Sequence, residues 1–169
     1  RGGAHPAADL AGAIRGVELH RRTFTETAVR LEEMLRSSGL SARDSNVLVE
    51  SWLSQGDFLL ADLDGGFDYV VGNPPYVRHE GIKDLKPELK KQFADFFCGT
   101  ADIYTYFYQR GLEILKSDGH LCFIAPNKFM RAGYGKNTRT LLTTKTALKT
   151  VIDFCDLPIF DATTYPSII

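Results

Sequence analysis

Asn73-Pro74-Pro75-Tyr76 places an amide, two prolines and a phenol directly after an apolar run, Phe67 to Gly72. The prolines fix φ and remove two backbone donors. Each also pushes the residue before it out of the helical region. Asn73 therefore sits on a stiff, extended stub with its amide projected forward. Its side-chain oxygen and a main-chain carbonyl make a preorganised pair of acceptors, with an aromatic ring close behind. Such acceptors suit an exocyclic NH2 group, and the ring suits a planar base stacked beside it. The plainer alternative is a Pro-Pro turn leaving a sheet edge, with Tyr76 simply packing.

Two acids occupy comparable places earlier in the chain. Glu18 closes a short apolar stretch, Ile14 to Leu19, where it could accept hydrogen bonds from ribose hydroxyls. Asp57 follows a second stretch, with Phe58 beside it, and could hold an adenine amino group while Phe58 packs on the ring. Either acid alone reads equally well as a helix cap or a solvated side chain. His79-Glu80 has no second histidine at helical spacing and reads as a polar loop pair, with no metal implied. Cys98, Cys122 and Cys155 lie far apart without C-x-x-C spacing, as expected of reduced, packed thiols in a cytoplasmic protein.

Charge is unevenly distributed. The net charge is −1, yet residues 1–76 hold 7 basic and 11 acidic side chains and residues 77–169 hold 13 and 10. No acid lies between Asp118 and Asp153, where Lys128, Arg131, Lys136, Arg139, Lys145 and Lys149 fall. A one-signed stretch within a near-neutral protein is an electrostatic footprint for a polyanion, or else a solvated basic face. No apolar run approaches the roughly 18 residues that span a bilayer, so no membrane role is expected. With 169 residues, 44% of them hydrophobic, one core and one domain are expected.

The elements that must position these residues follow from periodicity. Ile14 to Leu19 reads as a strand. Phe24, Ala28, Leu31 and Leu35 recur at helical spacing and stop at Ser38-Gly39. Val47 to Leu53 reads as a second, β-leaning stretch, and Phe67 to Gly72 as a buried third strand. After a charged segment from Lys83 to Lys91, an apolar helix is predicted over 101–116, sandwiched against the sheet. Ser117-Asp118-Gly119 breaks it before a buried strand, His120 to Ala125. A short helix near 135–144, a strand over 148–154 and a β-like end over 165–169 complete the chain. Strands alternating with helices predict a parallel, doubly wound α/β sheet, with ligands beyond the strands' carboxyl ends.

Asn73-Pro74-Pro75-Tyr76-Val77-Arg78 resembles motif IV of the adenine-N6 DNA methyltransferases that use S-adenosylmethionine. Asp102-Ile103-Tyr104-Thr105-Tyr106-Phe107 and Gly119 to Phe129 also look like the members fused to restriction or phage-defence functions. The similarity runs through most of the chain in the family's order.

The resemblance implies a Rossmann-like class I methyltransferase sheet, mostly parallel with an antiparallel last strand. Residues 1–169 would be a partial catalytic domain covering motifs II to VIII, without a target-recognition domain. Glu18, Asp57, Phe58 and Asn73 would bind S-adenosylmethionine, and Asn73, Pro74, Pro75 and Tyr76 would form the catalytic loop. Tyr76 and Phe160 would contact a flipped adenine, although Phe160 alone reads equally as a core residue. Asn127, Lys128, Arg131 and Lys136 would meet double-stranded DNA. The family's glycine loop after a first strand is absent before Ile14. The chain is therefore expected to be an interior piece, inactive by itself and open to self-association through the sheet edge that strand would cover. Asn-Pro-Pro-Tyr also occurs in enzymes acting on a protein glutamine or an RNA guanine amine. Those substrates, and an inactive DNA-binding fragment, are the alternative readings.

Overall fold

The computed structural model describes residues 6–160 and 164–169. The chain divides into two compact units, Arg1–Asp62 and Leu63–Ile169.

The first unit contains α1 (Pro6–Leu10), β1 (Gly16–Glu18), α2 (Arg21–Ser37), α3 (Ala42–Trp52) and β2 (Leu53–Gln55). Helix α2 stops where the sequence predicted. Gly39 takes φ +96°, its N–H bonds to the Arg36 carbonyl, and the Leu40 N–H reaches back to Leu35. That pattern is a Schellman C-cap, which requires a left-handed residue and favours glycine there. The predicted strand over 47–53 is instead the end of α3. Ser41 caps that helix by accepting the Asp44 N–H at 3.1 Å. Ser45, Leu48 and Trp52 then fall on one buried face at helical spacing. Burial on that face outweighs the β-leaning of Val47 and Val49. Ala7, Leu35, Leu48 and Trp52 form the unit's core, and the Trp52 indole donates to the Leu10 carbonyl at 2.7 Å.

The second unit contains β3 (Phe67–Gly72), α4 (Lys86–Gln92), α5 (Tyr104–Ile114), β4 (Leu115–Pro126), α6 (Lys136–Lys145), β5 (Ile152–Asp153) and β6 (Pro166–Ile168). Short 3-10 turns lie at His79–Leu85, Asn127–Met130 and Gly133–Gly135. Among the described residues the strands form two sets, a parallel pair and a mixed four-stranded sheet. β1 pairs in parallel with β2, while the second sheet runs β3-β4-β6-β5. There β3 and β4 are parallel, and β6 is antiparallel to both β4 and β5. β1 and β3 do not pair, so β3 is an edge strand among the described residues.

That edge position corrects the expectation of a buried third strand. Val70 is buried, but Tyr69 and Val71 are 70% and 75% exposed. Side chains alternate across a strand, and only the Val70 face is covered. Helix α5 covers it closely. A Cβ on Gly111 would stand 2.8 Å from Leu121 Cδ1 and 3.2 Å from Phe123 Cζ. The helix begins at Tyr104 and gives way to β4 at Leu115. Ser117-Asp118-Gly119 lies in a register shift, where Phe67 faces Leu115 but Tyr69 faces His120.

Helix α5 is buried on more than one side, with Tyr104 and Tyr108 on one and Tyr106 on another. Tyr106 bonds to both backbone groups of Cys98. Tyr108 packs on Phe123 and Phe129, but its buried hydroxyl has no partner among the described residues. An unsatisfied buried hydroxyl destabilises a fold by roughly 1–3 kcal/mol. Tyr108→Phe keeps the ring and removes that cost, so it is expected to raise the urea midpoint. A lowered midpoint would mean the hydroxyl is satisfied in solution.

Candidate functional site

Because β3 and β4 are parallel, the loops that leave them, at 73–78 and 127–135, share the carboxyl edge of the sheet. Asn73 is exposed, and its amide makes no hydrogen bond among the described residues. Pro74 beneath it is buried. The Tyr76 hydroxyl donates to the Ile124 carbonyl at 3.3 Å, and burial raises its pKa above the ordinary phenol value. Its ring meets Phe160 edge to face, with centroids 6.1 Å apart and planes at 82°. The structure thus brings together the two aromatics that the sequence singled out 84 positions apart. Downstream the loop is held by its backbone. The Ile103 N–H donates to the Val77 carbonyl at 3.1 Å, and the His79 N–H donates to Asp102 Oδ1 at 3.1 Å.

The second loop carries Lys128 and Arg131, and Lys136 follows at the start of α6, all three exposed. The Lys128 ammonium stands 5.9 Å from the centre of the Tyr134 ring. Arg139, from the same basic stretch, is committed elsewhere. Its guanidinium donates to the Phe129 and Ala132 carbonyls at 2.6 and 2.8 Å, closing the turn. Asn127 is likewise engaged, donating to Asp153 Oδ1 at 2.8 Å. That bond, with one from the Cys155 N–H, holds the Asp153 carboxyl below its usual range.

In the first unit, Glu18 and Asp57 lie at one edge. Glu18 pairs with Gln55 across β1 and β2, and the Gly56 N–H donates to the Glu18 carbonyl at 3.0 Å. Glu18 Oε1 accepts the His20 N–H at 2.8 Å, and Asp57 Oδ1 accepts the Leu59 N–H at 2.9 Å. Each carboxylate therefore uses one oxygen to fix its own loop. Phe58, next to Asp57, is half-buried.

A family model described as the Eco57I restriction-modification methylase matches residues 18–160, which include every one of these positions. The chain belongs to that family. It is 44% identical over 163 residues to the type II methyltransferase M.PaeR7I of Pseudomonas aeruginosa, covering 95% of this chain and 28% of that protein. It is 36% identical over 166 residues to the type II methyltransferase M.BstVI of Geobacillus stearothermophilus, covering 94% and 29%. The chain thus spans under a third of the length of these relatives. Its fold is similar to the crystal structure of a type I restriction-modification methyltransferase subunit from Streptococcus thermophilus. That match has a TM-score of 0.59 at 22% identity and covers 91% of this chain and 32% of the other.

Within this Eco57I-family chain, one cluster near the loops escaped sequence reasoning. Asp102, Tyr104 and Tyr134 are joined by hydrogen bonds that end beside His79. The available signal was an acid at the head of an otherwise apolar helix, where burial forces a carboxylate to find donors. Burial, and the Asp102 carboxylate beside it, push the Tyr134 hydroxyl up to about 12. Both tyrosines of the cluster therefore stay protonated as donors at neutral pH; burial also raises Tyr104.

Proposed function

We propose that the chain is part of a catalytic domain that methylates the N6 amine of a flipped-out adenine in double-stranded DNA, with S-adenosylmethionine as donor. The carrying observation is the exposed Asn73 amide, without a hydrogen bond among the described residues, on a proline-stiffened loop whose Tyr76 packs against Phe160. The family membership and the exposed cations on the neighbouring loop support DNA over a protein or RNA amine as the substrate.

The adenine amine is a weak nucleophile because its lone pair is delocalised into the ring. In this reading Asn73 Oδ1 and the Pro74 carbonyl accept its two N–H bonds and draw the nitrogen towards a pyramidal form. Tyr76 and Phe160 hold the extruded base. Lys128, Arg131 and Lys136 position the backbone through phosphates. Catalysis then rests on orientation and directed hydrogen bonds, without a covalent enzyme intermediate. S-adenosylmethionine supplies the electrophilic sulfonium methyl. Glu18 and Asp57 fit its adenosine part, since each keeps a carboxylate oxygen beyond the one fixing its own loop, at the carboxyl end of a parallel strand. Phe58 would pack on the adenine ring.

The same reading takes both sheets as pieces of a Rossmann-like class I methyltransferase architecture, supported by the parallel β1–β2 and β3–β4 pairs and the antiparallel β6. It also places the protein in the cytoplasm, with its DNA; no helix among the described residues is long and apolar enough to cross a membrane. Incubating the full-length protein with methyl-labelled cofactor and duplex DNA tests the function. Label recovered as N6-methyladenine supports it. Label on cytosine, RNA or protein, or none at all, rejects it.

The open edge of β3, with Tyr69 and Val71 exposed beside it, supports self-association of the 169-residue chain by strand pairing. Val71→Lys is expected to shift sedimentation towards monomer. A chain monomeric without the substitution would dismiss this reading.

A further inference from the structure

We propose that Asp102 is a positioning residue that locks the Asn73–Tyr76 loop to the basic turn through Tyr134. This deepens the reading above and rests on it.

The Asp102 side chain is only 10% exposed, and its two oxygens serve different loops. Oδ1 accepts the N–H of His79, three residues beyond Tyr76, at 3.1 Å. Oδ2 accepts the Tyr134 hydroxyl at 2.9 Å. An ionised carboxylate can only accept, so this contact fixes the direction of the rest of the chain. Tyr134, having donated its proton, accepts from the Tyr104 hydroxyl at 2.9 Å. Tyr104 in turn accepts the Phe129 N–H at 3.1 Å, inside the turn that carries Lys128. Every donor is aligned towards one buried carboxylate. The neighbouring Ile103 N–H holds the Val77 carbonyl. Two consecutive residues ahead of α5 therefore grip the backbone at 77 and 79.

A buried carboxylate costs desolvation, and an apolar residue of similar size would fill the same volume more cheaply. What it provides is geometry, because hydrogen bonds fix the distance between the loops where apolar packing would let them slide. The Lys128 ammonium above the Tyr134 ring lies at the outer end of this connection. The loop that carries Asn73 and the turn that carries the cations are thus held in one register.

Tyr134→Phe in the full-length enzyme removes one hydroxyl and leaves the ring beneath Lys128. Loss of one such bond is expected to lower kcat about 10-fold, with KM for DNA and cofactor within about twofold. Amide exchange at residues 77–79 is expected to rise about 10-fold while exchange in α5 and β4 stays unchanged. Asp102→Asn is expected to act in the same direction and further. Unchanged kcat in Tyr134→Phe, a rise in KM alone, or faster exchange spread through α5 and β4 would each overturn the proposal. Asn73→Ala measured in parallel separates the two ideas. If that variant keeps its turnover, the catalytic reading of the loop fails, while local exchange at 77–79 still decides whether Asp102 positions it.

Discussion

Replacing Asn73 with alanine in the full-length enzyme is expected to lower turnover about 100-fold, while the affinity for DNA stays within about twofold. The amide is exposed and makes no hydrogen bond of its own among the described residues, so its removal leaves no buried group unpaired. In the proposed reaction its acceptor would matter most when the amine nitrogen pyramidalises, and loss of a transition-state hydrogen bond costs roughly 3 kcal/mol. The effect therefore falls on kcat rather than on KM. Asn73→Asp keeps an acceptor but brings a full charge, which distinguishes simple hydrogen bonding from the need for a neutral amide. Turnover near that of the unaltered enzyme in Asn73→Ala would reject the assignment outright.

Neutralising Lys128, Arg131 and Lys136 together, each to glutamine, flattens the salt dependence of DNA binding. Each lost phosphate contact reduces the log–log slope by about 0.9, so three reduce it by about 2.7. Between 50 and 200 mM salt the variant would then lose about 40-fold less of its affinity than the unaltered enzyme. Arg139 is left out deliberately, because its guanidinium closes the turn from inside. Arg139→Gln is expected to lower thermal stability and leave the slope unchanged. An unchanged slope in the triple variant would return the stretch to an ordinary solvated face.

Local signals with one dominant cause were legible in the sequence. The end of α2 follows from Gly39 and its left-handed φ, and β3 ends at the Pro-Pro dipeptide, as the missing donors require. The pairing of Tyr76 with Phe160 came from resemblance rather than from spacing, since no periodicity connects residues so far apart. What could not be read was tertiary. Val47 and Val49 lean towards strand, but the buried Leu48–Trp52 face belongs to a helix. Six basic residues look alike along the chain, yet Arg139 spends its donors on carbonyls and Lys128, Arg131 and Lys136 stay exposed. The bond from the Asn127 amide to Asp153 has no counterpart in local sequence pattern. In each case the partner is supplied by a distant segment or by a backbone turn, and a linear pattern carries neither.

The close seat of α5 on β4 has a consequence for how the sequence can drift. A methyl on Gly111 would stand 2.8 Å from Leu121 Cδ1 and 3.2 Å from Phe123 Cζ, so one of those side chains must move to admit it. Volume at these three positions is therefore shared rather than owned by any one of them. A larger residue at 111 is admitted most easily in a background where 121 or 123 has already shrunk. That order passes through a cavity and the reverse order through a close contact, which cores tolerate unevenly. Substitutions at these three positions are therefore expected to be non-additive in stability, since each changes the volume left to the other two.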